Sequence, residues 1–166
     1  MNCLQPAFGI LGSRNNLCVR LTRSDAEIVM AQKLRFQVFY EELKANPDPS
    51  SAKSRMDTDR FDEFCDHLIV VNQTAPDTPR QFEVDDGEMV GTYRLLRQCV
   101  AEKNDGFYTQ SEFDIAPLLA AKPDLRFLEL GLRLSTSLAC RSCQNPGYFL
   151  GAGTSVLSGC SPGSRL

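Results

Sequence analysis

The residues of this 166-residue chain that could do chemistry are charged side chains set where apolar ones would be expected. Arg35 sits in "LRFQVFYEEL", beside a helical apolar stripe and four residues before Phe39. Arg94 sits mid-strand in "VGTYRLLR", and Glu129 sits mid-strand in "RFLEL" between Leu128 and Leu130. A buried charge is costly unless it is paired and hydrogen-bonded. The stretch "DTDRFDEFCDH" offers partners, because Asp59 and Asp62 are three apart and share a face if the chain makes a helical turn there. They would then hold Arg35 and Arg94 in one network, or leave a carboxylate free to receive an ammonium group from a substrate. The plain alternative is solvated loop acids and surface-paired arginines. Glu129, with apolar neighbours that would raise its pKa, is the candidate general base, against the alternative of a strand glutamate facing solvent.

Other chemistries fit less well. His67 is the only histidine and follows Asp66 directly, so no Ser-His-Asp or Cys-His arrangement is offered; it reads as a strand-edge residue. The seven cysteines are scattered and odd in number, which reads as free thiols. Cys140-x-x-Cys143 has no second pair to complete a tetrahedral zinc site, so no metal is expected. Gly151 to Ser155, "GAGTS", imitates a phosphate loop but lacks a strand-to-helix setting.

The elements that must position these groups follow from periodicity. Leu17, Val19 and Leu21 alternate with polar residues as in a half-buried strand. Ser24 and Glu27 form a capping box, which predicts a helix running to about Ala45 with Ile28, Ala31, Leu34 and Val38 on one side. "NPDPSSAKSRMDTDRFDEF" reads as a long exposed loop. "HLIVV" and "EMVGTYRLLR" read as strands, "SEFDIAPLLAA" as a short helix, and "RFLEL" as a last strand with an exposed edge. The order predicts one α/β domain with a mainly antiparallel front half.

Composition narrows the partners. Residues 1–131 hold 15 Lys and Arg against 21 Asp and Glu, an acidic balance without a basic stripe, so nucleic acid is not the expected partner. The N-terminus lacks a basic segment before its short apolar patch, and no apolar run reaches the length of a membrane span; the expected location is cytoplasmic.

Taken together, "LRFQVFYEEL", "DRFDEFCDHLIVV", "VGTYRLLR", "GFYTQSEFDIAPLL" and "LELG" resemble, in the right order over about residues 17–131, the bacterial L-ornithine N-alpha-acyltransferases of ornithine lipid biosynthesis. These are related to the acyl-homoserine-lactone (autoinducer) synthases within the GNAT-like superfamily. The resemblance implies an α/β, GNAT-like fold with a mixed sheet and flanking helices. It implies transfer of a 3-hydroxyacyl group from acyl carrier protein to the α-amino group of L-ornithine. The donor is the phosphopantetheine thioester, with no bound cofactor, and the lipid product implies peripheral association with the inner face of the membrane. Glu129 matches the first residue of a Glu-x-x-Arg signature, and Arg35, Phe39, Asp59, Asp62 and Arg94 match a polar cluster at the acceptor site. An autoinducer synthase is the second reading.

The resemblance is expected to stop at Gly131. Leu132 stands where the signature has Arg, and Arg133 comes one place late. Residues 1–131 are therefore expected to be the N-terminal part of the acyltransferase domain, and 132–166 an atypical, poorly ordered tail. A frameshift near codon 131, with the C-terminal half missing, would explain this, and an inactive fragment is the third reading.

Overall fold

A computed structural model describes residues 9–74, 80–135 and 156–160. The chain forms β1 (Ile10–Arg14), β2 (Leu17–Leu21), α1 (Asp25–Phe36), a run of π-helical turns (Gln37–Glu42) and α2 (Pro49–Ser54). A 3-10 turn (Arg60–Glu63), β3 (Asp66–Asn72), β4 (Glu83–Val84), β5 (Gly87–Arg97) and α3 (Gln98–Ala101) follow. A second 3-10 turn (Tyr108–Ser111), α4 (Ala116–Ala121), β6 (Arg126–Ser135) and β7 (Val156–Cys160) complete it. The strands lie in the order β1-β2-β3-β5-β6-β7, with β4 hairpinned onto β5, and the neighbouring strands among the described residues pair antiparallel. The expected α/β architecture with flanking helices forms, but among the described residues the sheet is antiparallel and not mixed.

Strand register decides which side chains meet, because side chains opposite one another in a ladder share a face. Arg20 lies opposite Ile69, Cys18 opposite Val71, His67 opposite Arg94, and Leu96 opposite Glu129. All eight are buried on one face, which α1 covers with Ala31 and Leu34. A second cluster on that face, Phe61, Leu96, Ala101, Phe107, Ile115 and Phe127, fills the space under the 3-10 turns and α4. On the other face Leu17, Val19, Leu68, Val70, Leu95, Leu128 and Leu130 are half-buried.

Several expectations change. Regular α-geometry ends at Phe36, short of Ala45; beyond it Leu43 N bonds Val38 O, five residues back, at 2.9 Å. The wider π-helical turns reduce the rotation per residue, and the adjacent Phe39 and Tyr40 both reach one wall. The expected loop contains α2, capped by Asp48 and opened by Pro49, and a 3-10 turn capped by Asp59. His67 lies in β3 between β2 and β5 and is 2% exposed, so it is not at a sheet edge. The expected edge at Arg126–Leu130 is paired with Val156–Cys160. Cys18 and Cys65 are free thiols, but Cys99 is disulfide-bonded.

The ladder between β5 and β6 also breaks register. Thr92 pairs Leu134 and Arg94 pairs Gly131, so three steps on β6 match two on β5, a bulge beside Gly131. Cys140-x-x-Cys143 and Gly151 to Ser155 lie outside the described residues, as does most of 132–166.

Candidate active site

Three pieces of chain converge on the buried face of β5 and β6: the π-helical turns after α1, the segment from Asp57 into the turn Arg60–Glu63, and the turn Tyr108–Ser111. They enclose a cavity of about 290 Å³, whose lining includes Phe39, Tyr40, Asp57, Asp59, Phe61, Cys65, Arg94, Tyr108, Glu129 and Gly131.

The floor is an ion network. Arg35, which has no exposed surface, donates from Nε to Asp57 Oδ2 (3.0 Å) and from Nη2 to Asp62 Oδ2 (2.6 Å). Arg94 donates from Nη1 to Asp62 Oδ1 (3.2 Å) and to Asp59 Oδ1. Asp62 Oδ2 also accepts from Gln32 Nε2 and from Asp59 N, each at 3.2 Å. Burial alone would oppose ionisation of Asp62; the Arg35 hydrogen bond and the charges of Arg35 and Arg94 outweigh it and hold its carboxyl below the usual range. The turn itself is reciprocal, since Asp59 caps it through Phe61 N (2.8 Å) while Asp62 reaches back to Asp59 N.

Asp57 is fixed just as firmly at the cavity wall. Its Oδ1 accepts from Tyr40 Oη at 3.0 Å, its Oδ2 from Arg35, and its backbone N donates to Gln32 O at 3.1 Å. Burial, then the Asp57 hydrogen bond, pushes the Tyr40 hydroxyl up to about 12, so it stays a donor. Asp59 differs. Its Oδ2 accepts no hydrogen bond among the described residues, and the side chain is 41% exposed. Of the four carboxylates, this is the one with an oxygen left open.

Glu129 is 2% exposed, and both its oxygens are engaged by the turn Tyr108–Ser111. Tyr108 N donates to Oε2 and Thr109 N to Oε1, each at 2.8 Å, and the Thr109 hydroxyl also donates to Oε1. Burial pushes the Cys65 thiol up to about 12, against the opposing charge of Arg94. It is therefore a thiol and no acyl-accepting nucleophile at neutral pH. His67 Nε2–H donates to the Asp62 carbonyl at 3.1 Å, and desolvation holds the ring neutral. Its Nδ1 and Arg35 Nη1 are buried without a hydrogen-bond partner among the described residues.

The structure thus brings together all six residues expected from sequence. Phe39, Asp59, Arg94 and Glu129 line the cavity, while Arg35 and Asp62 stand behind its wall and orient the others. Sequence reasoning missed Tyr40, Asp57, Phe61, Cys65 and Tyr108. Asp57 carries a legible signal, two residues before Asp59 in "DTD", the spacing that puts both acids on one side of an extended segment. Tyr40 carries none, because its orientation depends on the π-helical turns. Among the described residues no His, Cys, Asp and Glu group has metal-binding geometry, and no helix is long and apolar enough to cross a membrane.

Comparison with known proteins adds a family. The model of the acetyltransferase (GNAT) domain matches residues 34–144, past Gly131, where the resemblance was expected to stop. The L-ornithine N(alpha)-acyltransferase of Rhizobium meliloti (strain 1021) is 46% identical over 143 residues, 86% of this chain and 43% of that protein. The protein of the same name from Brucella abortus (strain 2308) is 44% identical over 84% of this chain and 44% of its own length. That from Rhodobacter capsulatus is 36% identical over 84% of this chain and 47% of its own. The chain thus spans less than half the length of these relatives. No solved structure gives a significant match.

Proposed function

The chain belongs to the acetyltransferase (GNAT) domain family, and from that premise we propose that this protein acylates the α-amino group of L-ornithine. The observation that carries the reading is the charge of the site. Asp57, Asp59, Asp62 and Glu129 set four negative charges against the two positive ones of Arg35 and Arg94, a formal excess of two negatives around one cavity. Such a site favours a cationic acceptor over a neutral or anionic one. The names of the relatives supply the identity of that cation.

The residues divide the work by their unused atoms. Arg94 spends Nη1 on Asp59 and Asp62, and its Nη2 has no partner among the described residues, so it takes the acceptor's α-carboxylate. Asp59 Oδ2 takes the α-ammonium beside it. The amine must shed a proton to attack, and half-exposed Asp59 can relay it to solvent. The nitrogen lone pair then forms the C–N bond, the C–S bond of the donor thioester breaks, and the second N–H proton leaves with the thiolate as thiol. The bulge beside Gly131 is where a backbone N–H leaves the ladder, and there it would meet the developing thioester oxyanion. Glu129 lies in the same wall. With both oxygens bonded to the turn Tyr108–Ser111, it serves the reaction by holding that wall in place.

The donor in this reading is a 3-hydroxyacyl thioester on the phosphopantetheine arm of acyl carrier protein, used in the cytoplasm at the membrane face. Full-length protein, 3-hydroxyacyl carrier protein and labelled ornithine are expected to give labelled lyso-ornithine lipid. Acylation of S-adenosylmethionine in preference to ornithine would instead establish the autoinducer-synthase reading.

A further inference from the structure

Asp57 has no part in the reaction as laid out above, yet its carboxylate on the cavity wall is held through both oxygens. Four hydrogen bonds fix it: Arg35 to its carboxylate and to its carbonyl, Tyr40 to its other oxygen, and its own N–H to Gln32. The side chain is 18% exposed, and Asp57 lines the cavity. Thr58, between the two acids, is exposed and does not line the cavity. Asp57 and Asp59 therefore point the same way from an extended segment, with Asp59 at φ −143° and ψ 176°. An extended chain advances about 3.3 Å per residue, which places their Cα atoms about 6.6 Å apart.

Resting on the reading of the acceptor as ornithine, we infer that Asp57, oriented by Tyr40, is the specificity-determining residue that binds the acceptor's side-chain ammonium. Five bonds of about 1.5 Å in a zigzag separate the two nitrogens of extended ornithine, roughly 6 Å end to end. That matches the Cα spacing of the two acids, whose side chains leave the segment on the same side. Asp59 takes the α-nitrogen beside Arg94, and Asp57 takes the δ-nitrogen one carboxylate further along. Each Asp57 oxygen accepts one hydrogen bond from the protein's side chains and keeps lone-pair capacity for an ammonium. The hydroxyl of Tyr40 donates to Asp57 and so fixes the orientation of the carboxylate.

The test compares two acceptors, ornithine and 2-aminopentanoate, which lacks only the δ-ammonium, on full-length wild-type, Asp57→Asn and Tyr40→Phe proteins. Asn keeps an oxygen for Arg35 Nε and so preserves the fold, and thermal unfolding checks this. Asp57→Asn is expected to raise KM for ornithine roughly ten- to a hundredfold, the range for losing a charged hydrogen bond, with kcat within a few fold. It should leave kcat/KM for 2-aminopentanoate nearly unchanged. Tyr40→Phe should move the ratio of the two acceptors the same way by less. An unchanged ratio in both variants, or equal losses on both acceptors, overturns the assignment alone. Wild-type protein that acylates some other amine and not ornithine overturns the reading of the reaction, and this assignment with it.

Discussion

His67 shows how a residue that reads as unremarkable in sequence comes to govern the site indirectly. Its Nε2–H holds the carbonyl of Asp62, the acid that both arginines grip. Desolvation lowers its folded pKa below the ordinary value near 6.5, so between those two values the unfolded chain binds the proton and the folded chain does not. Stability is therefore complete above about pH 6.5 and is lost as pH falls from there. His67 is the only histidine, and carboxylates titrate lower, so the effect can be isolated. The urea midpoint of the wild type is expected to fall between pH 7 and pH 5, whereas that of His67→Gln stays flat. Equal slopes would remove His67 from the account. At this scale much was legible: Arg35, Asp59, Asp62, Arg94 and Glu129 stand out as charges in apolar settings. Tyr40 did not, because a helical tyrosine looks ordinary until the fold shows what it faces, and Asp57 was legible only through its spacing from Asp59. That both Glu129 oxygens are taken was beyond the sequence as well, since their partners lie in the turn Tyr108–Ser111.

At the scale of elements, the strand β2 and the N-cap of α1 were written in the sequence, but the caps at Asp48 and Asp59 and the partners of Glu27 were not. The capping box predicted that Glu27 would reach back to Ser24 N. Ser24 does accept from Glu27 N, at 3.4 Å, but the Glu27 carboxylate takes Arg23 N at 2.6 Å and both terminal nitrogens of Arg20. Arg20 has no exposed surface and also grips Asp86 in the β4–β5 turn, at 2.7 and 3.0 Å. One guanidinium thus ties the start of α1, the middle of β2 and the β4–β5 hairpin together. Breaking a buried pair from one side leaves a charge uncompensated, whereas replacing both members costs much less. Glu27→Leu is expected to lose on the order of 3 kcal/mol of unfolding free energy. Adding Arg20→Met to it should restore part of that, because Asp86 keeps Arg23 at 3.5 Å and is partly solvated. Chemical denaturation of the single and double variants checks this, and a double variant less stable than Glu27→Leu would contradict it.

Among the described residues, the sheet has one face covered by helices and turns and one face that they leave uncovered. The buried face carries the site, its ion network and both apolar clusters, covered by α1, the 3-10 turns and α4. The opposite face carries a broad patch of half-buried leucines and valines from β2, β3, β5 and β6. A sheet with apolar residues on both sides needs a layer on each. The relatives are more than twice as long as the region they share with this chain, which gives a source for such a layer. A donor site for the thioester arm that needs such a layer would be incomplete on the described residues. The expected outcome is that the 166-residue chain alone binds ornithine through the acceptor cluster but transfers little or no acyl group. It should also bind an apolar dye that full-length protein excludes. Dye fluorescence and labelled-ornithine incorporation, measured side by side on the two proteins, decide the matter. Rapid lyso-ornithine-lipid formation by the 166-residue chain would show that the donor site is complete on the sheet as it stands.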